Sequence, residues 1–192
     1  MTVLEQAFAA IDAKNAEDPN YELVNGEEIP KELLYSRRMS ARLQDFDPEA
    51  PETLQIAARA QHICRWQIPR DSYPMNRTGY LKWREDLKKM HASITTGILE
   101  NLGFTEEFRD RVAFLIRKKL LKKDEDSQKL EDVICLVFLD YYFEDFAKGH
   151  PEEKVIDILQ KTWAKMSEAG HKAALSLDLS PKTRELVTKA LT

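Results

Sequence analysis

Apolar residues return every three or four positions along most of this chain, and prolines or glycines break the rhythm where helices would have to end. Strand-like alternation is not sustained over any useful length. With only 6 glycines, neither GxGxxG nor GxxxxGK[ST] occurs, which sets aside dinucleotide-binding and P-loop architectures. The expected fold is therefore all-α: a single-domain helical bundle spanning residues 1–192, with its core over about 30–148 and a helical extension over about 151–192.

The breakers divide the chain. A first helix is expected over residues 3–16, with Val3, Phe8 and Ile11 available for burial, ending at Asp18-Pro19-Asn20. Residues 21–29 contain the turn signal Asn25-Gly26 and too little apolar content for more than a brief strand, so they read as loop. Pro30 suits the first position of a second helix, on which Tyr35, Met39, Leu43 and Phe46 share a face. Pro51 opens a third, whose apolar surface (Leu54, Ala57, Ala58, Ile63, Cys64) is interrupted by Gln61 and His62. After a proline- and aromatic-rich loop over 66–74, a long helix is expected over 79–99, carrying Leu81, Leu87, Ile94 and Ile98. Thr105 can cap the next, and Lys118, Lys119, Lys122 and Lys123 sit near its negative end. Residues 128–147 give the most buried-looking helix. Another carries Val155, Leu159, Trp163 and Met166, Gly170 breaks the pattern, and Ser180-Pro181 starts a last short helix.

The 29 basic and 33 acidic residues give a net charge of −4, so no global positive excess points to nucleic acid or an anionic membrane. The two cysteines, Cys64 and Cys135, lie in apolar helical patterns without CxxC spacing, which argues against a disulfide framework and a cysteine-rich zinc site. Residues 1–6 lack the basic and apolar regions of a signal peptide, and no apolar run approaches the roughly 20 residues a membrane span needs. A cytoplasmic location without membrane attachment is the expectation.

Candidate chemistry rests on polar residues that interrupt apolar helices. His62 and His91 do so singly, and Glu131-Asp132 opens a run too apolar to be a surface face. A buried carboxylate costs several kcal/mol unless a cation or donor compensates it. Two imidazoles and one or two carboxylates from different helices form a ligand set suited to a divalent metal ion. The plainer account makes the histidines core residues with one hydrogen bond each, and the acidic pair a helix-terminal feature. A cationic set, Arg37-Arg38, Arg59, Arg65, Arg70, Arg77, Lys82 and Arg84, surrounds His62 in sequence, and arginine forks suit phosphate or carboxylate. Arg37, Arg59, Arg65, Arg70, Lys82 and Arg84 are the expected phosphate-binding residues; the alternative is a solvated face paired with Glu85, Asp86 and their neighbours. Trp66, beside His62 and two arginines, is the tryptophan suited to stack on a base. Cys64, two residues from His62 on an expected helix, would face away from it, so no thiol nucleophile is expected.

Leu33-Leu34-Tyr35-Ser36-Arg37-Arg38-Met39, residues 60–70 and 79–84, and Leu130-Glu131-Asp132-Val133 through Leu139 together resemble the uncharacterised family called domain of unknown function 4202. That resemblance covers nearly the whole chain and implies a helical protein with no established activity. A looser resemblance is to the HD superfamily of metal-dependent phosphohydrolases, also helical bundles. Ala57-Ala58-Arg59-Ala60-Gln61-His62 is similar to its helix ending in His-Asp, His91 to its later histidine, and Leu130-Glu131-Asp132 to its acidic residue opening an apolar helix. Ile63 stands where the partner aspartate belongs, Tyr35 or Ser36 near the place of the first histidine, and Lys118 or Lys119 where another histidine is often found.

What this second resemblance implies is a mononuclear divalent-metal site of His62, His91 and Asp132, with Glu131 as a further ligand or catalytic base. Metal-bound water would then attack a nucleotide or other small phosphoester, and Arg59, Arg65 or Lys82 would stabilise phosphate charge. The alternative is a non-catalytic helical module whose arginines and Trp66 bind a phosphorylated ligand or RNA. A helical scaffold for another protein is a third reading.

Overall fold

The computed structural model describes residues 1–191, and the described chain is all-α apart from one small hairpin. It forms two compact units, Met1–Lys119 and Leu120–Thr192. Lys118, Leu120 and Lys122 take left-handed backbone angles (φ 55°, 51° and 69°), although none of the three is glycine.

The first unit contains α1 (Val3–Asn15), β1 (Tyr21–Val24), β2 (Glu27–Pro30), α2 (Lys31–Phe46), α3 (Glu52–Arg59), α4 (Arg77–Asn101) and α5 (Glu106–Ile116). A capping box starts α1: Thr2 Oγ1 accepts from Glu5 N–H at 3.1 Å, and Glu5 Oε2 accepts from Thr2 N–H at 2.7 Å. That helix buries Ala7 and Ile11, whereas Val3, expected inside, is 48% exposed. Residues 21–30 form an antiparallel hairpin instead of the expected loop. Asn25 and Gly26 both have positive φ (52° and 86°), which matches the twist of a two-residue hairpin turn. The strands have little apolar content because they lie at the surface.

Helix α2 begins at Lys31, and Pro30 ends β2. Its first free N–H groups are taken from outside the helix: Lys31 donates to Asn20 O at 2.8 Å and Glu32 to Asp18 Oδ2 at 3.0 Å. Buried Leu33, Leu34, Met39 and Leu43 of α2 meet Leu54, Ile56, Ala57 and Ala58 of α3, and α5 adds Val112, Leu115 and Ile116 against α3 and α4. Each of the buried Leu, Ile, Val and Met side chains stabilises by about 1.5–3 kcal/mol. The buried face of α4 carries Trp83, Leu87, His91, Ala92, Thr95 and Leu99; Leu81, expected to be buried, is 55% exposed.

The second unit contains α6 (Glu125–Val137), a π-helical turn over Phe138–Tyr142, α7 (Phe143–Lys148), α8 (Glu152–Lys165), α9 (Glu168–Leu175) and α10 (Pro181–Leu191). α6 packs on α8 and α9, and α8 on α10 and α7. Gly170, expected to break a helix, lies inside α9 because that short helix passes close to Asp132, where a Cβ would come within 2.5 Å of Oδ1. No described helix is long and apolar enough to cross a membrane.

Candidate functional site

α3 ends at Arg59, so His62 lies in a turn and not on the expected helix. The turn reverses at Cys64, whose φ is 55°. Two buried bonds fix it: Cys64 N–H donates to Asn15 Oδ1 of α1 at 3.1 Å, and His91 Nδ1 of α4 lies 2.7 Å from Ile63 O. A carbonyl only accepts, so His91 carries its proton on Nδ1. Burial and the neighbouring His62 hold the His91 imidazole down at about 3, so it is neutral.

His62 stacks on Tyr35 of α2, with ring centroids 3.9 Å apart, and its ring lies 6.2 Å from that of His91. Arg65 Nη1 is 3.0 Å from His62 Nε2, and Glu32 Oε2 is 3.3 Å from His62 Nδ1. The same Arg65 Nη1 also lies 3.4 Å from His62 Nδ1, so the guanidinium sits beside both ring nitrogens. Burial, followed by the charge of Arg65, holds His62 well below the ordinary histidine range, so this is a neutral imidazole and not half of an ion pair. Glu32 is buried too. Desolvation raises its carboxyl to about 7 against the opposing pull of Arg65. Sequence reasoning missed Glu32 because it looks like an ordinary first-turn acid; its nearness to His62 depends on how α2 meets the turn after α3.

The expected phosphate-binding residues separate into three groups. Arg59 forms a bidentate pair with Asp12 (Nε to Oδ1 at 2.8 Å) and lies over Phe8. Lys82 is held by Asp86 at 2.6 Å, and Asp86 also accepts from Tyr73 OH at 2.9 Å. Arg37 is exposed on α2. Arg65, Arg70 and Arg84, by contrast, lie over aromatic rings: Arg65 over Trp83 at 5.0 Å, Arg70 over Trp83 and Tyr80 at 5.9 Å each, and Arg84 over Tyr80 at 5.9 Å. Among the described residues none of these three forms an ion pair with a carboxylate. Arg70 spends donors on Tyr73 O, Pro74 O and Asn76 O, which clamps the loop before α4. Trp83, fixed by its Nε1–H to Ile68 O at 2.8 Å, holds the central position expected of Trp66, which is half-buried in the turn Arg65–Gln67.

Asp132 and Glu131 belong to the second unit. Asp132 Oδ1 accepts from Ser167 N–H at 2.8 Å and Gln128 Nε2 at 3.2 Å, and Oδ2 accepts from Ser167 Oγ at 2.6 Å. The buried carboxylate thus holds the N-cap of α9 in place. Glu131 Oε1 faces Lys165 Nζ at 3.7 Å. The residues do not fit the divalent ion implied by the looser resemblance: the guanidinium of Arg65 lies against both ring nitrogens of His62, and the Asp132 oxygens accept three hydrogen bonds within their own unit. No group of three or more His, Cys, Asp or Glu among the described residues is arranged to hold a metal ion.

Neither the curated proteins nor the solved structures contain a match to this chain. The profile of one family, described only as a domain of unknown function, DUF4202, matches residues 5–187, so the chain belongs to that family.

Proposed function

We propose that the first unit binds a small phosphorylated ligand at the mouth of the His62 turn, where Arg65 and Arg84 supply the charge. The observation that supports this reading is that Arg65, Arg70 and Arg84 rest on Trp83 and Tyr80 without carboxylate partners, while Arg38, Arg59 and Lys82 in the same unit are each paired. A guanidinium laid on an aromatic face keeps its in-plane donors pointing outward, the arrangement a phosphate needs. The strip also places an exposed aromatic, Tyr80, beside the charge.

The test is thermal denaturation with pyrophosphate and with AMP, each with and without EDTA. Binding at a concentration 100 times Kd stabilises by about 2.7 kcal/mol, a shift read directly as a rise in Tm. The expected result is stabilisation indifferent to chelator and clearly reduced in Arg65→Ala. No shift with either ligand overturns the reading, and a shift abolished by EDTA returns the site to a metal-dependent phosphohydrolase.

A further inference from the structure

We propose that β1 is a docking edge for an extended segment of a partner protein in which Lys or Arg alternates with apolar residues, and that this segment adds to the hairpin as a third strand.

The register decides which backbone groups are free. Tyr21 stands opposite Pro30, Glu22 opposite Ile29, Leu23 opposite Glu28 and Val24 opposite Glu27. Opposed residues of an antiparallel pair alternate between exchanging hydrogen bonds and turning their N–H and C=O groups outward. Lys31 N–H donates to Asn20 O at 2.8 Å, which fixes the phase: the 22–29 and 24–27 pairs exchange bonds, and Tyr21, Leu23, Glu28 and Pro30 turn outward. Pro30 has no N–H, so the outer edge of β2 lacks a donor there. On β1, Tyr21 and Leu23 each keep an outward N–H and C=O, two residues apart, which is the spacing at which an added strand bonds. No hydrogen bond among the described residues uses either N–H.

The side chains point to the same edge. Glu22, Val24 and Ile29 face inward and are half-buried, and Arg38 of α2 pairs with Glu22 at 2.9 Å. The opposite face carries Tyr21 and Leu23, 56% and 73% exposed, so the residues with free backbone groups also offer apolar side chains to an added strand. Charge selects the occupant. Glu28 lies on that outer face directly across from Leu23, Glu27 flanks the turn, both are exposed, and neither forms an ion pair among the described residues. A Lys or Arg on the outer face of a third strand would stand about 10 Å from β2, within the joint reach of its own side chain and that of Glu28 across Leu23. A second copy of this chain would instead bring like carboxylates together on one sheet face, which destabilises the pairing.

The test is NMR of uniformly nitrogen-15-labelled full-length protein titrated with two capped hexapeptides, Lys-Val-Lys-Val-Lys-Val and Glu-Val-Glu-Val-Glu-Val. The lysine peptide is expected to shift the amides of Tyr21 and Leu23 and slow their exchange with solvent, with an affinity that falls as salt is added. The glutamate peptide should leave them unmoved. Leu23→Pro deletes an outward donor without touching a bond between β1 and β2, so it should abolish binding while the Glu22 and Ile29 amides keep their positions. Glu28→Lys, which leaves the backbone intact, should weaken the lysine peptide by roughly tenfold and transfer binding to the glutamate peptide. Shifts confined to residues outside 20–31, equal binding of the two peptides, or unchanged affinity in Glu28→Lys would each overturn the proposal. No binding up to about 1 mM lysine peptide would do the same. Hairpin shifts that grow with protein concentration alone would make a second copy the occupant and overturn it as well.

Discussion

His91 Nδ1 sits 2.7 Å from the carbonyl oxygen of Ile63, so a histidine in the middle of α4 holds the turn that carries the neighbouring His62. Replacing His91 by Phe keeps much of the volume and deletes the donor, leaving a buried carbonyl unsatisfied at a cost of about 1–3 kcal/mol. His91→Gln, which retains a donor, should lose less. Urea denaturation distinguishes them, and equal stability of Phe, Gln and wild-type proteins would show that the bond does not secure the turn.

The buried titratable groups predict how stability changes with pH. An unfolded histidine binds a proton below about 6.5, which folded His62 and His91 refuse. Each therefore removes about 1 kcal/mol of stability per pH unit as pH falls below that value, for His91 down to about 3. Glu32 acts in the opposite sense. Its folded value of about 7 lies above the unfolded 4.5, so its contribution is present at low pH and lost as pH rises through 7. Between 4.5 and 6.5 the histidines and the carboxyl act in opposite senses, so Glu32→Gln should steepen the rise of stability with pH there and stabilise the protein at pH about 8 by about 3 kcal/mol. Denaturant midpoints across pH check this, and a variant slope matching wild type would refute it.

In the second unit, Asp132 and Gly170 should be energetically coupled. Asp132→Ala strips the acceptor from Ser167 N–H and Oγ–H and should cost about 1–3 kcal/mol. Gly170→Ala places a methyl within 2.5 Å of Oδ1 of a short, buried and fully bonded side chain, and should cost a similar amount. The double variant should be more stable than the sum of the two losses implies, because removing the carboxylate makes room for the methyl. Strict additivity in the thermodynamic cycle would contradict the contact.

Arg59 and Arg65 should behave oppositely. Arg59→Ala breaks a bidentate pair between α3 and α1 and is expected to lower Tm while pyrophosphate affinity stays near wild type. Arg65→Ala and Arg84→Ala should each weaken pyrophosphate binding by roughly ten- to a hundredfold, the scale of a charge-assisted hydrogen bond of about 1.5–3 kcal/mol, with small effects on Tm. Calorimetric titration beside thermal melts separates the two effects. Affinity lost in Arg59→Ala and kept in Arg65→Ala would move the ligand elsewhere.

Much of the helical layout was legible because its signals are local. Thr105 caps α5, Pro51 and Pro151 precede α3 and α8, and Pro181 begins α10 as read. The failures came where a tertiary partner overrode a local rule. Gly170 continues a helix because Asp132 leaves no room for a side chain. α3 stops before His62 because Asn15 and His91 offer the turn better partners than another helical turn would. The compensation that the buried carboxylate of Asp132 requires comes from Ser167 and Gln128, partners that spacing along the chain does not reveal.

Sequence alone determined that this chain is helical, where most of its helices lie, and that His62 and His91 are unusual interruptions, since these depend on periodicity and capping within a few residues. Tertiary structure decided which charges are free and which are spent. Arg59 and Arg65 look alike in the sequence, yet one meets Asp12 and the other a tryptophan face, a neutral histidine and, beyond it, Glu32. Hydrogen bonds and burial act between residues far apart in the chain, and only the packing of α1, α2, α3 and α4 brings those residues together.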